Sequence, residues 1–494
     1  MTQATDTPVP SALSAVSWLS AACALCAFAV AFGFCVWAVH RGFEITDEAY
    51  YLLMGMHPEG VQLYVSAQQW VTGPLWATTG SLVAFRTCGL LLLVGSAATL
   101  SHGVCSSFCR YASGFEVGVA SQISVASASI VFALLYAATI NLSPSYNLLA
   151  SAGANAAAGF VLLGLCASAS LRRHEFNLLA GLALAVEFVG KPSAGVATFA
   201  VVGFWLMSVG SRSLKAKLVD VVVVGLGAVV CVAMLASTQS SMTDVVLSLR
   251  RGLDLFQMVQ TESIVARLGR YAIQFARAAL DAAVWFSFAI SALFGYLVTR
   301  RRRWLALFGA TTFVTMLAGD FFVGGSDQYL KQVGSSFILL AMTVCVTLPA
   351  WRQRRMSAIL VTGLIALPYS VAVGTGNSIF TQVIVSLAPW GALAAVLANI
   401  QLAHKSDRFV AAILFIGLVT SVSAQIFTSG FRMPYHMSQP IAAQAERVHV
   451  RDLGFVLVDA GTRQFVADME GAARKCAIPR MLLSSGSTTF LVLH

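Results

Sequence analysis

Charge is the scarce ingredient of this chain. Asp, Glu, Lys and Arg make up 11% of its 494 residues, against roughly one-quarter in soluble domains. Hydrophobic residues make up 58%, and mean hydropathy is +0.79. Water cannot solvate that much apolar surface, so a soluble globular enzyme is excluded and lipid must cover the chain. Acids are scarcer still, 21 against 31 Lys and Arg. The resulting +10 charge is no nucleic-acid signal, because the bases fall in short loops between apolar runs, where they orient the chain. The first ten residues hold no Lys or Arg, unlike the positive start of a cleaved signal peptide, so residues 14–38 read as a retained span.

Cysteine is not lacking, but Cys23, Cys26, Cys35, Cys88, Cys166, Cys231 and Cys345 lie inside apolar segments, where they act as small hydrophobes. Cys476 stands alone in the tail, so no structural disulfide is expected there. Cys105, Cys109 and His102 share a predicted loop, but three ligands without a fourth nearby do not make a metal site. Repeats of fixed period are missing, as are the mirrored broken helices of many transporters.

About thirteen apolar segments approach the roughly 20 residues a span requires. They lie near 14–38, 82–100, 118–140, 147–170, 177–190, 193–210, 218–238, 276–299, 304–323, 333–350, 356–373, 381–400 and 409–428. The fifth is short and reads as a tilted or re-entrant piece. With residues 1–13 in the cytoplasm, the inner loops carry Arg110, Arg172, Arg173, Arg212, Lys215, Lys217, Arg300–Arg303, Arg352, Arg354, Arg355, Lys405 and Arg408. The outer loops carry fewer bases over greater length, which supports this orientation, although His40 and Arg41 flank the first span on the outside. The expected fold class is an all-α polytopic membrane protein. Its membrane module spans 14–428, followed by a small α/β extracytoplasmic domain over 429–494. That domain combines the strand-like FVLVD from Phe455 with a helical pattern near Thr462 to Lys475, and from its apolar last residues it is expected to be incomplete.

Function should therefore reside on the outer face, in loop 39–81, loop 239–275, the turn Gly319 to Gln332 and the tail. Asp47 and Glu48 lie in ITDEAYYL, Ile45 to Leu52. Neighbours on a helix point about 100° apart, so the two cannot share a proton and suit separate tasks. One would accept a proton from a hydroxyl, and the other would orient the acceptor or hold a cation. Tyr50 and Tyr51 would offer ring faces to a sugar or anchor at the headgroups. The run from Val61 to Trp76 has the make-up of an interfacial helix.

In NLSPSYNLLA, Pro144 ends one helix and Tyr146 and Asn147 open the next. In GKPSAG, Lys191 precedes a helix start and reads either as a phosphate cation or as a snorkelling lysine. Asp327, Gln328, Tyr329 and Lys331 place a second cation beside an aromatic. Loop 239–275, with Arg250, Arg251, Asp254, Glu262, Arg267 and Arg270 at helical spacing, reads mainly as a solvated face.

Together ITDEAYYL, PSYNLLA, KPSAG and SDQYLK, in this order along residues 14–400, resemble the GT-C glycosyltransferases. The nearest group contains lipid A aminoarabinose transferases, protein O-mannosyltransferases and rhizobial lipopolysaccharide sugar transferases. The resemblance implies a bacterial inner-membrane enzyme with a polyprenyl-phosphate sugar donor and inverting transfer on the periplasmic side. The acceptor would be an envelope lipid, glycan or protein. Asp47 maps to the catalytic base, with Glu48 beside it. Tyr50, Tyr51, Tyr146, Asn147 and Tyr329 would line the substrate site, and Lys191 and Lys331 would face the leaving phosphate. The late family loop often carries a His-Tyr pair near prolines. Here Gln328 and Tyr329 stand without them, so a metal or phosphate contact through that histidine is missing. The need for a divalent cation is left open. The competing reading is a multi-pass transporter of an envelope precursor, which predicts ionisable residues in mid-span. Arg86 and Glu187 are the candidates, and both lie near span ends.

Overall fold

The computed structural model describes residues 12–60, 66–112, 115, 117–138, 140–238, 242–259, 262–285, 355–374, 377–402, 408–432, 434–450 and 453–476, with a few isolated residues between 287 and 312. The late turn with Asp327, Gln328, Tyr329 and Lys331, and the expected spans 304–323 and 333–350, lie outside these residues, as does nearly all of 276–299 beyond Trp285.

The described chain is mostly helical. Helix α1 (Ala12–Ala38) leads into α2 (Asp47–Met56) and α3 (Gln69–Thr79). There follow α4 (Leu82–Tyr111), α5 (Val119–Leu134), α6 (Tyr146–Cys166), α7 (Ser170–Gly190), α8 (Pro192–Ser208) and α9 (Leu214–Ser237). Beyond α10 (Met242–Val259) and α11 (Ile264–Trp285) come α12 (Arg355–Ala372), α13 (Ile379–Val383), α14 (Ala388–Leu402) and α15 (Arg408–Arg432). The chain continues into strands β1 (Glu446–Val450) and β2 (Gly454–Val458) and helix α16 (Ala460–Cys476).

Among the described residues, six helices are long and apolar enough to cross a membrane: Ala15–Ala38, Leu82–Tyr111, Val119–Ala138, Tyr146–Cys166, Leu214–Ser237 and Arg408–Thr428. A seventh candidate is broken: Ile379–Ser386 and Ala388–Leu402 meet at 65°. Pro389, early in α14, has no N–H to donate back across that break. The shorter apolar helices Pro192–Ser208 and Ser357–Ala372 pack among them. Segment 177–190 is no short piece: α7 is a 21-residue helix whose first turns carry Arg172, Arg173 and Glu175, which depress its apparent hydropathy.

Serines start several of these helices. Ser81, Ser145 and Ser213 each accept the backbone N–H three residues on, which satisfies one orphan donor of the first turn. Small residues let the helices approach. A Cβ at Gly159 would meet the Thr99 backbone at 2.6 Å, and one at Gly181 would meet the Val224 carbonyl at 2.4 Å, so α6 lies on α4 and α7 on α9 at backbone contact.

One expectation about loops is corrected, and the helical spacing read in another is present. Helix α4 runs on to Tyr111, so His102, Cys105 and Cys109 lie along it rather than in a loop. Segment 239–275 holds the amphipathic helices α10 and α11, with Glu262 paired to Arg267 and Arg270.

The antiparallel strands β1 and β2 turn at Gly454 (φ 83°). Residues 40–42 run alongside β2: Gly42 N–H donates to the Leu457 carbonyl at 2.7 Å, and Leu457 N–H to the His40 carbonyl at 2.9 Å. Phe43, Leu52, Leu82, Phe85, Val450, Val456, Val458 and Val466 form one apolar cluster, which fastens the tail to the first loop.

The ends of the bundle differ in charge. One end gathers the turns at 38–47, 141–146, 190–192 and 371–373. The opposite end carries Arg110, which donates to the Cys166 carbonyl, and Arg173 and Arg212, which meet Asp220. Asp220 is fully buried and also accepts from Asn177 at 3.0 Å, so it ties α7 to α9. Replacing it leaves two arginines facing each other without a counter-charge. Asp220→Ala should cost about 2–3 kcal/mol, less than a wholly buried pair because the arginines reach water. A thermal unfolding midpoint unchanged in detergent would contradict this.

Candidate functional site at the Asp47 end of the bundle

The site begins where α1 stops. The chain turns through Gly42 (φ 70°), where a Cβ would lie 2.5 Å from the Met437 sulfur, and reaches Glu44, which is fully buried. Glu44 caps α2. Its Oε1 accepts from Thr46 N at 2.9 Å and from the Thr46 hydroxyl, and its Oε2 accepts from Glu48 N at 2.8 Å. Glu48 Oε2 in turn accepts from Glu44 N at 3.2 Å. This reciprocal pattern works as a capping box does, with carboxylates at the positive end of the helix.

Glu48 then meets Arg86 on α4. Arg86 Nε donates to Oε1 at 2.7 Å and Nη2 to Oε2 at 2.6 Å, a two-point fork. The remaining guanidinium bonds go to the carbonyls of Val39, Arg41 and Gly42 at 2.9, 3.1 and 2.8 Å. The Ser143 hydroxyl also donates to Glu48 Oε1. Both groups are buried, at 0% and 3% exposure. Glu48 therefore serves as a junction between α2, α4 and the 141–145 turn, and the structure does not place it as a free group for an acceptor or a cation.

Asp47 faces elsewhere. It is half-buried, and its Oδ2 accepts from the Tyr435 hydroxyl at 2.7 Å. Tyr435 stacks on His436, with ring centroids 3.9 Å apart. His436 Nδ1 lies 3.6 Å from Glu44 Oε1 and 3.4 Å from the Thr46 hydroxyl. Burial and the bond to Asp47 push the Tyr435 hydroxyl far above its ordinary pKa, so it remains a donor to that carboxylate.

One ligand atom each from Glu44, Asp47 and His436 lies within 4.8 Å of the others. Two carboxylates and an imidazole form a mixed oxygen and nitrogen donor set that suits a divalent transition-metal cation such as manganese or zinc.

Around Asp47 stands a group of tyrosines. Tyr51 packs edge-on against Tyr146 (5.7 Å) and Tyr50 (6.0 Å). Tyr51 is buried, and that burial, with Tyr146 and Asp47 nearby, raises its pKa well above the ordinary value. Tyr50 is 49% exposed. Asn147, one residue past Tyr146, is buried with its Oδ1 unpartnered.

Lys191 is elsewhere in this end, and it does not snorkel. At 5% exposure, its Nζ donates to the Val371 carbonyl at 2.8 Å and to Gln382 Oε1 at 3.3 Å. One turn earlier, Glu187 accepts from Thr198 at 2.7 Å. Tyr329 and Lys331 lie outside the described residues. The run expected as an interfacial helix is shorter: α3 begins at Gln69 and buries Trp70 and Thr72.

Sequence reasoning missed Glu44, Ser143, Tyr435 and His436, and it placed Arg86 among transporter candidates. The usable signals were the four-residue spacing of Glu44 and Glu48 and the proline-flanked Tyr435–His436 between Pro434 and Pro440.

The two adjacent acids should respond oppositely to substitution. Arg86→Met strands the Glu48 charge and should destabilise by about 3–5 kcal/mol. Asp47→Asn should stay within about 1 kcal/mol of wild type. Unfolding midpoints of the two variants in detergent check this, and equal losses would refute the division.

No protein-family model, curated protein or solved structure matches this chain.

Proposed function

We propose that this protein is an inverting glycosyltransferase of the bacterial inner membrane. It moves a sugar from a polyprenyl-phosphate donor to a hydroxyl of an envelope lipid, glycan or protein on the periplasmic side. The observation that carries the reading is the separation of the two neighbouring acids. Glu48 is consumed by Arg86 and Ser143, while Asp47 keeps one tyrosine partner and is half-buried among aromatic rings at one end of a membrane bundle. The basic residues at the opposite end support placing Asp47 outside the cytoplasm.

The chemistry follows from this placement. An acceptor hydroxyl reaching the Asp47 carboxylate gives up its proton as its oxygen attacks the anomeric carbon. The bond from that carbon to the donor phosphate breaks on the opposite face, and the configuration inverts. The Tyr435 hydroxyl orients the carboxylate and leaves its other oxygen for the acceptor. The exposed ring of Tyr50 offers an apolar face to a sugar.

Asp47→Asn should lower turnover about 10²–10⁴-fold, the range for a general base, with membrane insertion unchanged. Tyr435→Phe should lower it roughly tenfold, the value of one charge-assisted bond. The assay is sugar transfer from a synthetic polyprenyl-phosphate sugar by purified protein in lipid nanodiscs. Wild-type turnover in Asp47→Asn would refute the assignment.

One observation favours the transporter of an envelope precursor. Asn147, Ser151 and Asn155 follow one face of α6, all buried with unpartnered polar atoms, and Glu187 Oε2 is likewise unpartnered. Uptake of a labelled lipid-linked sugar into proteoliposomes, undiminished in Asp47→Asn, would favour that alternative.

A further inference from the structure

A cavity of about 60 Å³ lies beside the Asp47 site, between the end of α1, the 137–142 segment and the end of α15. Its wall is apolar at Ala38, Ala137 and Gly430 and polar at Arg41, Asn141 and Tyr435. Arg86 also lines it, but its guanidinium is already occupied by Glu48 and three carbonyls. No carboxylate belongs to the wall among the described residues.

Two observations mark this cavity as more than a packing gap. Arg41 Nε and Asn141 Nδ2 are buried donors without a partner, and a buried donor left unmade is costly. Tyr435 joins the cavity to the reaction site, because the same residue that lines it also donates to Asp47. Burial first, and then the charges of Arg41 and Arg86, lower the pKa of neighbouring His40. The volume has room for on the order of four waters or one tetrahedral oxyanion.

We infer that this cavity is an oxyanion site for a phosphate group, with Arg41 and Asn141 as donors. Arg41 supplies the charge and geometry that a phosphate takes up. Its Nη1 is anchored by the Gln444 carbonyl at 3.0 Å, and the guanidinium lies 4.5 Å over the Trp37 ring, so the group is held in place before a ligand arrives. The apolar wall on α1 and α15 suits a chain leaving the phosphate along the membrane helices. The inference deepens the proposed function, on which it rests, because it names the residues that grip the donor's leaving group.

The test is binding, measured apart from turnover, on the full chain in nanodiscs. The probes are a fluorescent polyprenyl monophosphate and, separately, inorganic phosphate as competitor. Arg41→Gln should raise the Kd for the lipid phosphate about tenfold to a hundredfold, the value of a hydrogen bond to a charged group. Arg41→Lys should recover part of the loss. Because Arg41 also touches Gln444, a second variant, Ala137→Phe, fills the cavity without altering a charge and should weaken binding as well.

Competition by millimolar inorganic phosphate would place recognition in the phosphate itself. Lipid binding without such competition would place it in phosphate and chain together. Both results support the site if the variants weaken binding. Wild-type Kd in both Arg41→Gln and Ala137→Phe overturns it. If binding weakens as expected but Asp47→Asn retains full transfer, the site stands and the catalytic assignment falls. If Asp47→Asn is inactive and the cavity variants bind normally, the reverse holds.

Discussion

A buried carboxylate–guanidinium pair at the end of a membrane bundle is costly unless every polar atom is satisfied. The Glu48–Arg86 pair meets that condition with partners from several chain segments. Arg86 takes both carboxylate oxygens of Glu48 and three carbonyls of the turn after α1, and Glu48 adds Ser143 and the Glu44 N–H. Because these partners come from 39–44, from α4 and from the turn before α6, the pair fixes the first loop to the bundle. It also decides where Asp47 points. Asp47 is the preceding residue on the same helix, about 100° around it, so locking Glu48 inward holds Asp47 toward the open side. If Asp47 is the base we propose, a carboxylate aimed by its neighbour's ion pair would need little reorganisation before accepting a proton.

The tail extends this constraint. Hydrogen bonds between residues 40–42 and Leu457 put the β-hairpin against the first loop, and the apolar cluster around Leu52, Phe85 and Val456 buries the contact. The connection from α15 to the hairpin passes over Asp47 and delivers Tyr435 and His436. The site is thus assembled from the first and last parts of the described chain, with α4 and α6 between them. A change in the hairpin core would reach the site through the backbone that carries these two rings.

The legible part of this architecture was local. Apolar length marked α1, α5, α6, α9 and α15, and the clustering of ITDEAYYL marked Asp47 and its tyrosines. Hydropathy misjudged helices whose ends carry polar residues. Arg172, Arg173 and Glu175 shortened α7, and the Ser, His and Cys residues from Ser101 to Cys109 made the last turns of α4 read as a loop. The site's remaining members were illegible because they join it across long sequence separations. Tyr435 meets Asp47 from 388 residues away, and Arg86 meets Glu48 from 38. No pattern within a window reports such contacts. Glu44 was missed for a different reason. Its role as a cap four residues ahead of Glu48 depends on the turn geometry set by Gly42, not on composition.

Lys191 and Arg41 show how burial assigns separate tasks to two cations at the same end of a bundle. Lys191 is nearly inaccessible, one helical turn from Glu187, and its ammonium donates to a carbonyl of α12 and to an amide of α13. In that setting its bonds hold the α12–α13 junction against the turn between α7 and α8. That bonding serves the protein's own break in helix geometry. Arg41 has no carboxylate partner among the described residues, and it borders a cavity shared with Tyr435. A guanidinium anchored at one nitrogen and stacked on Trp37 cannot turn away from that cavity at little cost. A ligand that enters therefore meets a donor already in place, and the same anchoring that restrains the loop sets the distance between that donor and Asp47.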